Sequence, residues 1–202
     1  MHYDLFGTIA VYLLALALHE AQVSPEIPVA LDIPAGRVNF MSAQPGEVLT
    51  IGLATLRILE DGSRTDNRLG SLEIILPPYT TGPPIHWHEM HDETCFLTEN
   101  LLQFNTPFGK VDTRENEYVA VPIRTPHTFS NPTDVESRRI LTCMPVLYVK
   151  YSRIMSRMAE AGRPLNPEVN EKAMARYRTI TVPSDSVFDT LLREVQSHLG
   201  RI

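Results

Sequence analysis

At 202 residues, with 43% apolar and 21% charged side chains, the chain can bury a substantial core as one domain, or one domain with an appendage. A formal net charge of −6 with no cluster of lysines and arginines argues against nucleic-acid binding, which needs concentrated cations to follow phosphates. Sixteen prolines against ten glycines mark frequent turns and strand ends and lean towards a β-rich body.

In chain order, Leu5 to Leu18 is almost continuously apolar but shorter than the roughly 20 residues a membrane-spanning helix requires, so no integral span is expected. Its length suits the core of a secretory signal, yet Met-His-Tyr-Asp ahead of it offers no Lys or Arg and carries an acid. A packed or docking helix within residues 1–22 is therefore favoured over a removed signal, and a cytoplasmic over a secreted location. Val23 to Gln44 is punctuated by prolines and reads as extended chain.

Strand signals follow. Val48–Leu59, Ser71–Leu76, Thr94–Leu97, Leu101–Phe104, Glu117–Val121 and Arg139–Val149 are short apolar or β-branched runs separated by turn clusters, the pattern of an antiparallel sandwich or barrel over 45–150. Beyond Val149 the period becomes helical, with Tyr151, Ile154, Met155 and Met158 on one face and Gly162 and Pro164 as a stop. Asn166-Pro167 reads as a cap with proline at the first helical position, ahead of Val169, Ala173 and Tyr177. A last helix is expected from Ser186, with Asp189 as its capping partner, so that 151–202 form a helical C-terminal extension. This apolar surplus predicts a homodimer. Cys95 and Cys143 lack any CxxC or zinc-ribbon context and read as buried thiols, a single bridge being the alternative.

The chemistry concentrates in Gly82–Glu93, Gly-Pro-Pro-Ile-His-Trp-His-Glu-Met-His-Asp-Glu, where three of the seven histidines fall within six residues. On a strand, His86 and His88 leave the same face. Imidazoles converging with a carboxylate suit a divalent transition metal. Glu93 stands five residues from His88, an odd offset that needs a bend across Glu89–Asp92. Downstream, His127 sits in Asn116-Glu-Tyr-Val-Ala-Val-Pro122-Ile-Arg-Thr-Pro-His127-Thr-Phe-Ser-Asn131.

These two stretches resemble the paired motifs of the cupin superfamily of small antiparallel β-barrels. Gly82, His86, His88 and Glu93 match the first motif, with three residues in place of five after the glycine and Asn100 in place of the closing glycine. Asn116, Pro122, Arg124, His127 and Asn131 match the second, so that both of its glycines are replaced. Asn enters the left-handed turn conformation readily, whereas Arg124 does so with less ease.

The resemblance implies a mainly β, jelly-roll type barrel with C-terminal α-helices. It also implies a metal held by His86, His88, Glu93 and His127: Fe, Mn, Ni, Cu or Zn. Glu93 would double as the catalytic base. Cys95 and Leu97, sharing Glu93's parity, and Phe129, sharing His127's, are expected to line a substrate pocket, with core filling as the alternative. His91 has no place in the motif and is expected at the surface or supporting a ligand; Trp87 faces the opposite side. The likeness is nearest to quercetinase-like fungal cupins of secondary-metabolite biosynthesis. It implies a dioxygenase of a small aromatic, enolic or polyketide-type molecule. A non-redox isomerase, cyclase or decarboxylase, and a non-catalytic binding cupin, stand as alternatives.

Overall fold

The computed structural model describes residues 38–43, 46–106 and 108–182. The apolar stretch at 5–18 and the helix expected from Ser186 lie outside them. From Val48 the chain forms β1 (Val48–Ile51), β2 (Ala54–Glu60), β3 (Gly70–Leu76), β4 (Thr80–Thr81), β5 (His86–His88) and β6 (Asp92–Glu99). It continues as β7 (Leu101–Thr106), β8 (Gly109–Arg114), β9 (Tyr118–Val121), β10 (Thr128–Asn131) and β11 (Ser137–Met144). Two helices, α1 (Leu147–Glu160) and α2 (Pro167–Arg176), precede β12 (Thr179–Thr181), the last strand among the described residues.

Every ladder is antiparallel. Six strands pair in the order β1-β2-β3-β11-β6-β9, four in the order β4-β10-β7-β8, and β12 pairs with β5. Strict alternation explains how the sheets face each other. In β3, Leu72, Ile74 and Leu76 are buried while their neighbours are half-exposed, and Ser137, Arg139, Leu141 and Cys143 alternate likewise in β11. One end of this inner face, with Leu76, Cys95, Leu97 and Val121, meets Leu102, Phe104 and Phe129 of the smaller sheet. The other end, with Leu56, Ile58, Leu72 and Ile74, is covered by Val149, Tyr151 and Met155 of α1. Each fully buried aliphatic side chain contributes about 1.5–3 kcal/mol. The result is a jelly roll of two facing sheets with a helix closing one end.

Several expectations shift at boundaries. Val48–Leu59 is a hairpin, because Gly52 turns at φ +58° between β1 and β2. The run Arg139–Val149 ends as a strand at Met144, since Pro145 has no N–H to give a ladder, and α1 begins at Leu147. Asn166 caps α2 as its sequence foretells, accepting the Val169 N–H at 2.9 Å with Pro167 in the first turn. Tyr151 joins the helices by donating its hydroxyl to Asn170 Oδ1 at 2.6 Å. Cys95 and Cys143 are free and buried. Among the described residues, no helix is long and apolar enough to cross a membrane.

Candidate metal centre

The centre begins with a close approach. Gly82 donates its N–H to Phe129 O at 2.8 Å, and a Cβ at Gly82 would lie 2.6 Å from the Phe129 ring, so only glycine lets the two segments meet. The next contact along is reciprocal: His86 N–H reaches His127 O at 3.0 Å, and His127 N–H returns to His86 O at 2.8 Å. Three left-handed turns then shape the surroundings. Asn100, Asn116 and Arg124 have φ of 64°, 68° and 62°, and all three stand where the motifs carry glycine. Arg124 thus adopts the turn despite its side chain, and its N–H binds His88 O at 2.8 Å. The bend needed for Glu93 is present too: β5 ends at His88, β6 starts at Asp92, and Asp92 Oδ1 accepts the Ile123 N–H at 3.0 Å.

Hydrogen bonds fix the ring orientations. His86 Nδ1 lies 2.9 Å from Pro84 O and His127 Nδ1 2.9 Å from Thr125 O; a carbonyl can only accept, so both Nδ1 atoms carry the proton. Each Nε2 is therefore a lone pair, buried and without a hydrogen-bond partner among the described residues. His88 Nε2 meets Glu93 Oε2 at 3.1 Å, and its Nδ1 meets Thr179 Oγ1 at 2.9 Å. Ligand atoms of His86, His88 and His127 lie within 4.8 Å of one another, as do those of His88, His91 and Glu93. His88 is common to both triads, so Glu93 is joined to the three-histidine group through His88. Two buried imidazole lone pairs aimed at a shared space, beside a carboxylate, fit a divalent transition metal.

Of the two places expected for His91, the surface is excluded: it is fully buried and stacks on His88 with ring centroids 3.8 Å apart, as a residue supporting a ligand would. Both of its ring nitrogens lack a partner among the described residues.

Burial is the main influence on charge here. It lowers His86 to about 3 and His91 to about 4, reinforced by the neighbouring histidines and opposed by Glu93. It also lowers His127, against the pull of Glu93 and the Thr125 carbonyl. Burial alone would raise Glu93, but the bond from His88 and the surrounding imidazoles prevail and hold it below the usual carboxylate range. Neutral His86 and His127 beside an ionised Glu93 are in the protonation states that ligation requires.

Beside the centre lies a cavity of about 460 Å³. Its wall is mostly apolar, including Leu56, Ile74, Leu76, Phe129 and Met155, together with Tyr148, Tyr151 and Arg139. Of the anticipated pocket residues, Phe129 lines it, while Cys95 and Leu97 sit in the inter-sheet core and are not in its wall. No centre histidine lines it; Tyr148 stands between, its ring 6.3 Å from that of His88. Sequence reasoning missed Thr179, Tyr148 and Arg139. Only Arg139 carried a signal, an arginine at the inward parity of an otherwise apolar strand.

Facing jelly-roll sheets, paired histidine motifs and left-handed turns at the three glycine positions define a cupin-type fold around a three-histidine, one-carboxylate cluster. No family model matches the sequence, and no curated protein matches it. Among solved structures, the chain is similar to a cupin-superfamily sugar phosphate isomerase from Silicibacter pomeroyi, with 21% identity over 45% of this chain and 59% of that one, TM-score 0.41. It is similar to an RmlC-like cupin from Shewanella frigidimarina, with 17% identity over 54% and 92% and TM-score 0.46. It is also similar to the polyketide cyclase RemF from Streptomyces resistomycificus, with 21% identity over 52% and 70% and TM-score 0.42. At these identities the likeness is one of fold.

Proposed function

We propose that this chain is a divalent-metal enzyme that oxidises a small enolic, aromatic or polyketide-type molecule with dioxygen. One observation carries the metal reading: the buried Nε2 atoms of His86 and His127, free of protein partners among the described residues, beside His88 and Glu93. These four residues would hold the ion, leaving one or two positions of a five- or six-coordinate metal open. When bound, the metal supplies Lewis acidity towards a substrate oxygen and, if redox-active, electrons for dioxygen chemistry.

The chain's own contribution is positional. Glu93, held ionised, would be the proton acceptor for a substrate hydroxyl that reaches the centre past Tyr148, since Glu93 does not itself line the cavity. The apolar cavity receives the organic skeleton and keeps water away from it. Burial foremost, then Tyr151 and Glu93, push the Tyr148 hydroxyl well above its ordinary pKa, so it stays protonated as a donor between cavity and centre.

A second reading, a non-redox isomerase, cyclase or decarboxylase, draws on the cavity wall. That wall carries Tyr148, Tyr151 and Arg139 but none of the histidines, a lining suited to folding a substrate and moving protons without dioxygen.

Metal analysis of protein purified without added metal, followed by turnover of enolic and phenolic substrates with and without oxygen, tests both. Oxygen uptake matched to substrate loss and abolished by His86→Ala is the expected result. Metal-dependent turnover that is indifferent to oxygen selects the second reading. Failure to bind any of the five candidate metals removes the first reading and leaves the second only in a metal-free form, which turnover by the metal-free protein tests.

A further inference from the structure

Arg138 and Arg139 are neighbours with opposite fates. Arg138 faces outward and pairs with Glu73, Glu99 and Glu136. Arg139, on the inward face of β11, is fully buried, and its Nε, Nη1 and Nη2 have no hydrogen-bond partner among the described residues. Nor does it form an ion pair with any of them. Its one organised contact is with Phe129, whose ring centroid lies 3.9 Å from the guanidinium carbon. Such stacking occupies the face of the cation and leaves its in-plane N–H fork free. Arg139 is among the residues that line the cavity, whose other lining is largely apolar and includes exposed Leu53, where the cavity reaches the surface.

A buried cation without a counter-charge is costly to a fold, and replacing such a group by an apolar one is often neutral or stabilising. Inner positions of the same strand are otherwise small or apolar: Ser137, Leu141 and Cys143. The cation therefore serves something the cavity receives.

We infer that Arg139 is the residue that recognises the substrate, by binding a carboxylate attached to an apolar skeleton that fills the cavity. The planar fork matches a carboxylate with two parallel N–H···O bonds, and Phe129 holds the fork in place. This rests on the cavity being the substrate site of the enzyme proposed above, and adds the class of molecule it takes.

Isothermal titration of the full chain with 2-naphthoate and its neutral counterpart 2-naphthamide, with and without a chelator, reads this directly. The carboxylate is expected to bind roughly 10- to 100-fold more tightly than the amide, the range of a charge-assisted pair. Arg139→Met should erase that preference, leave amide binding unchanged, and keep or raise the melting temperature of the ligand-free protein. A merely structural arginine would instead lower the melting temperature. Equal binding of the two probes by the unaltered protein overturns the inference even if the variant fails to fold, as does a preference that survives in Arg139→Met. Because binding is read without metal or turnover, loss of the metalloenzyme reading leaves these outcomes intact. Equally, metal-dependent turnover without a carboxylate preference removes the Arg139 assignment alone.

Discussion

His86 and His127, 41 residues apart in sequence, are backbone partners, each giving its N–H to the other's carbonyl at 3.0 and 2.8 Å. This pair places the two imidazoles 4.5 Å apart, centroid to centroid. A slip of one residue in either segment would turn one ring out of the cluster, so the register of this pair and the ligand set are one specification.

Removing either ring should empty the centre. His86→Ala and His127→Ala are expected to purify without stoichiometric metal, by elemental analysis, while retaining a cooperative unfolding transition. Thr179→Val is the subtler probe, since it deletes the hydroxyl that orients His88. A loss of roughly 10- to 100-fold in metal affinity is expected, typical of an outer partner of a ligating histidine. Unchanged affinity in Thr179→Val would dismiss that orienting role.

His91 separates two ligand sets. If Glu93 completes the centre, His91→Leu keeps its metal and gains about 1–3 kcal/mol of metal-free stability, because two buried unpartnered nitrogens disappear. Loss of metal in His91→Leu, with retention in Glu93→Gln, would exchange their roles. Urea unfolding and metal content of both variants decide it.

Acid should weaken the metal-free protein well before its carboxylates titrate. Burial holds folded His86 at about 3 and His91 at about 4, against an ordinary 6.5. Between these values and pH 6.5 the unfolded chain binds more protons than the folded one, so lowering pH favours unfolding. Stability is full above pH 6.5 and falls towards pH 4, by up to about 1.4 kcal/mol per pH unit for each histidine. A urea midpoint that stays level between about pH 7 and about pH 4.5 would contradict this burial of neutral rings.

Two glycine-related substitutions should move stability in opposite directions. Arg124 sits at φ 62°, so Arg124→Gly is expected to stabilise by about 1 kcal/mol through relief of the left-handed conformation. At Gly82 the obstacle is contact, with the Phe129 ring and carbonyl oxygen 2.6–2.7 Å from the added Cβ, and Gly82→Ala should cost about 1–3 kcal/mol. Thermal and urea denaturation of the pair measure both.

Much of the centre was legible because its determinants are local. The His-x-His spacing fixes one face, the odd offset of Glu93 demands a bend, and Asn100 and Asn116 are residues that tolerate a left-handed turn. The rest depends on distance in sequence or on competing local signals. Thr179-Ile-Thr is too short to announce a strand, and its partner β5 lies about 90 residues earlier. Tyr148 falls in a β-branched and apolar stretch that resembles continued strand, yet the break at Pro145 makes it helix. The motif spacing assigns His91 no place, and it is the bend between β5 and β6 that folds it inward against His88.

The pairing of β5 with β12 also orders events in time. As the chain is synthesised, His86, His88, Glu93 and His127 all emerge long before Thr179, which follows His88 by 91 residues. Until then β5 has an open edge on the side away from His127, and His88 lacks the hydroxyl that sets its ring. A nascent chain that has made its other described sheets therefore holds a loose, adjustable cluster, and β12 converts it into a fixed one. If the cluster holds a metal as proposed, whatever selectivity depends on rigid geometry would be acquired late in folding.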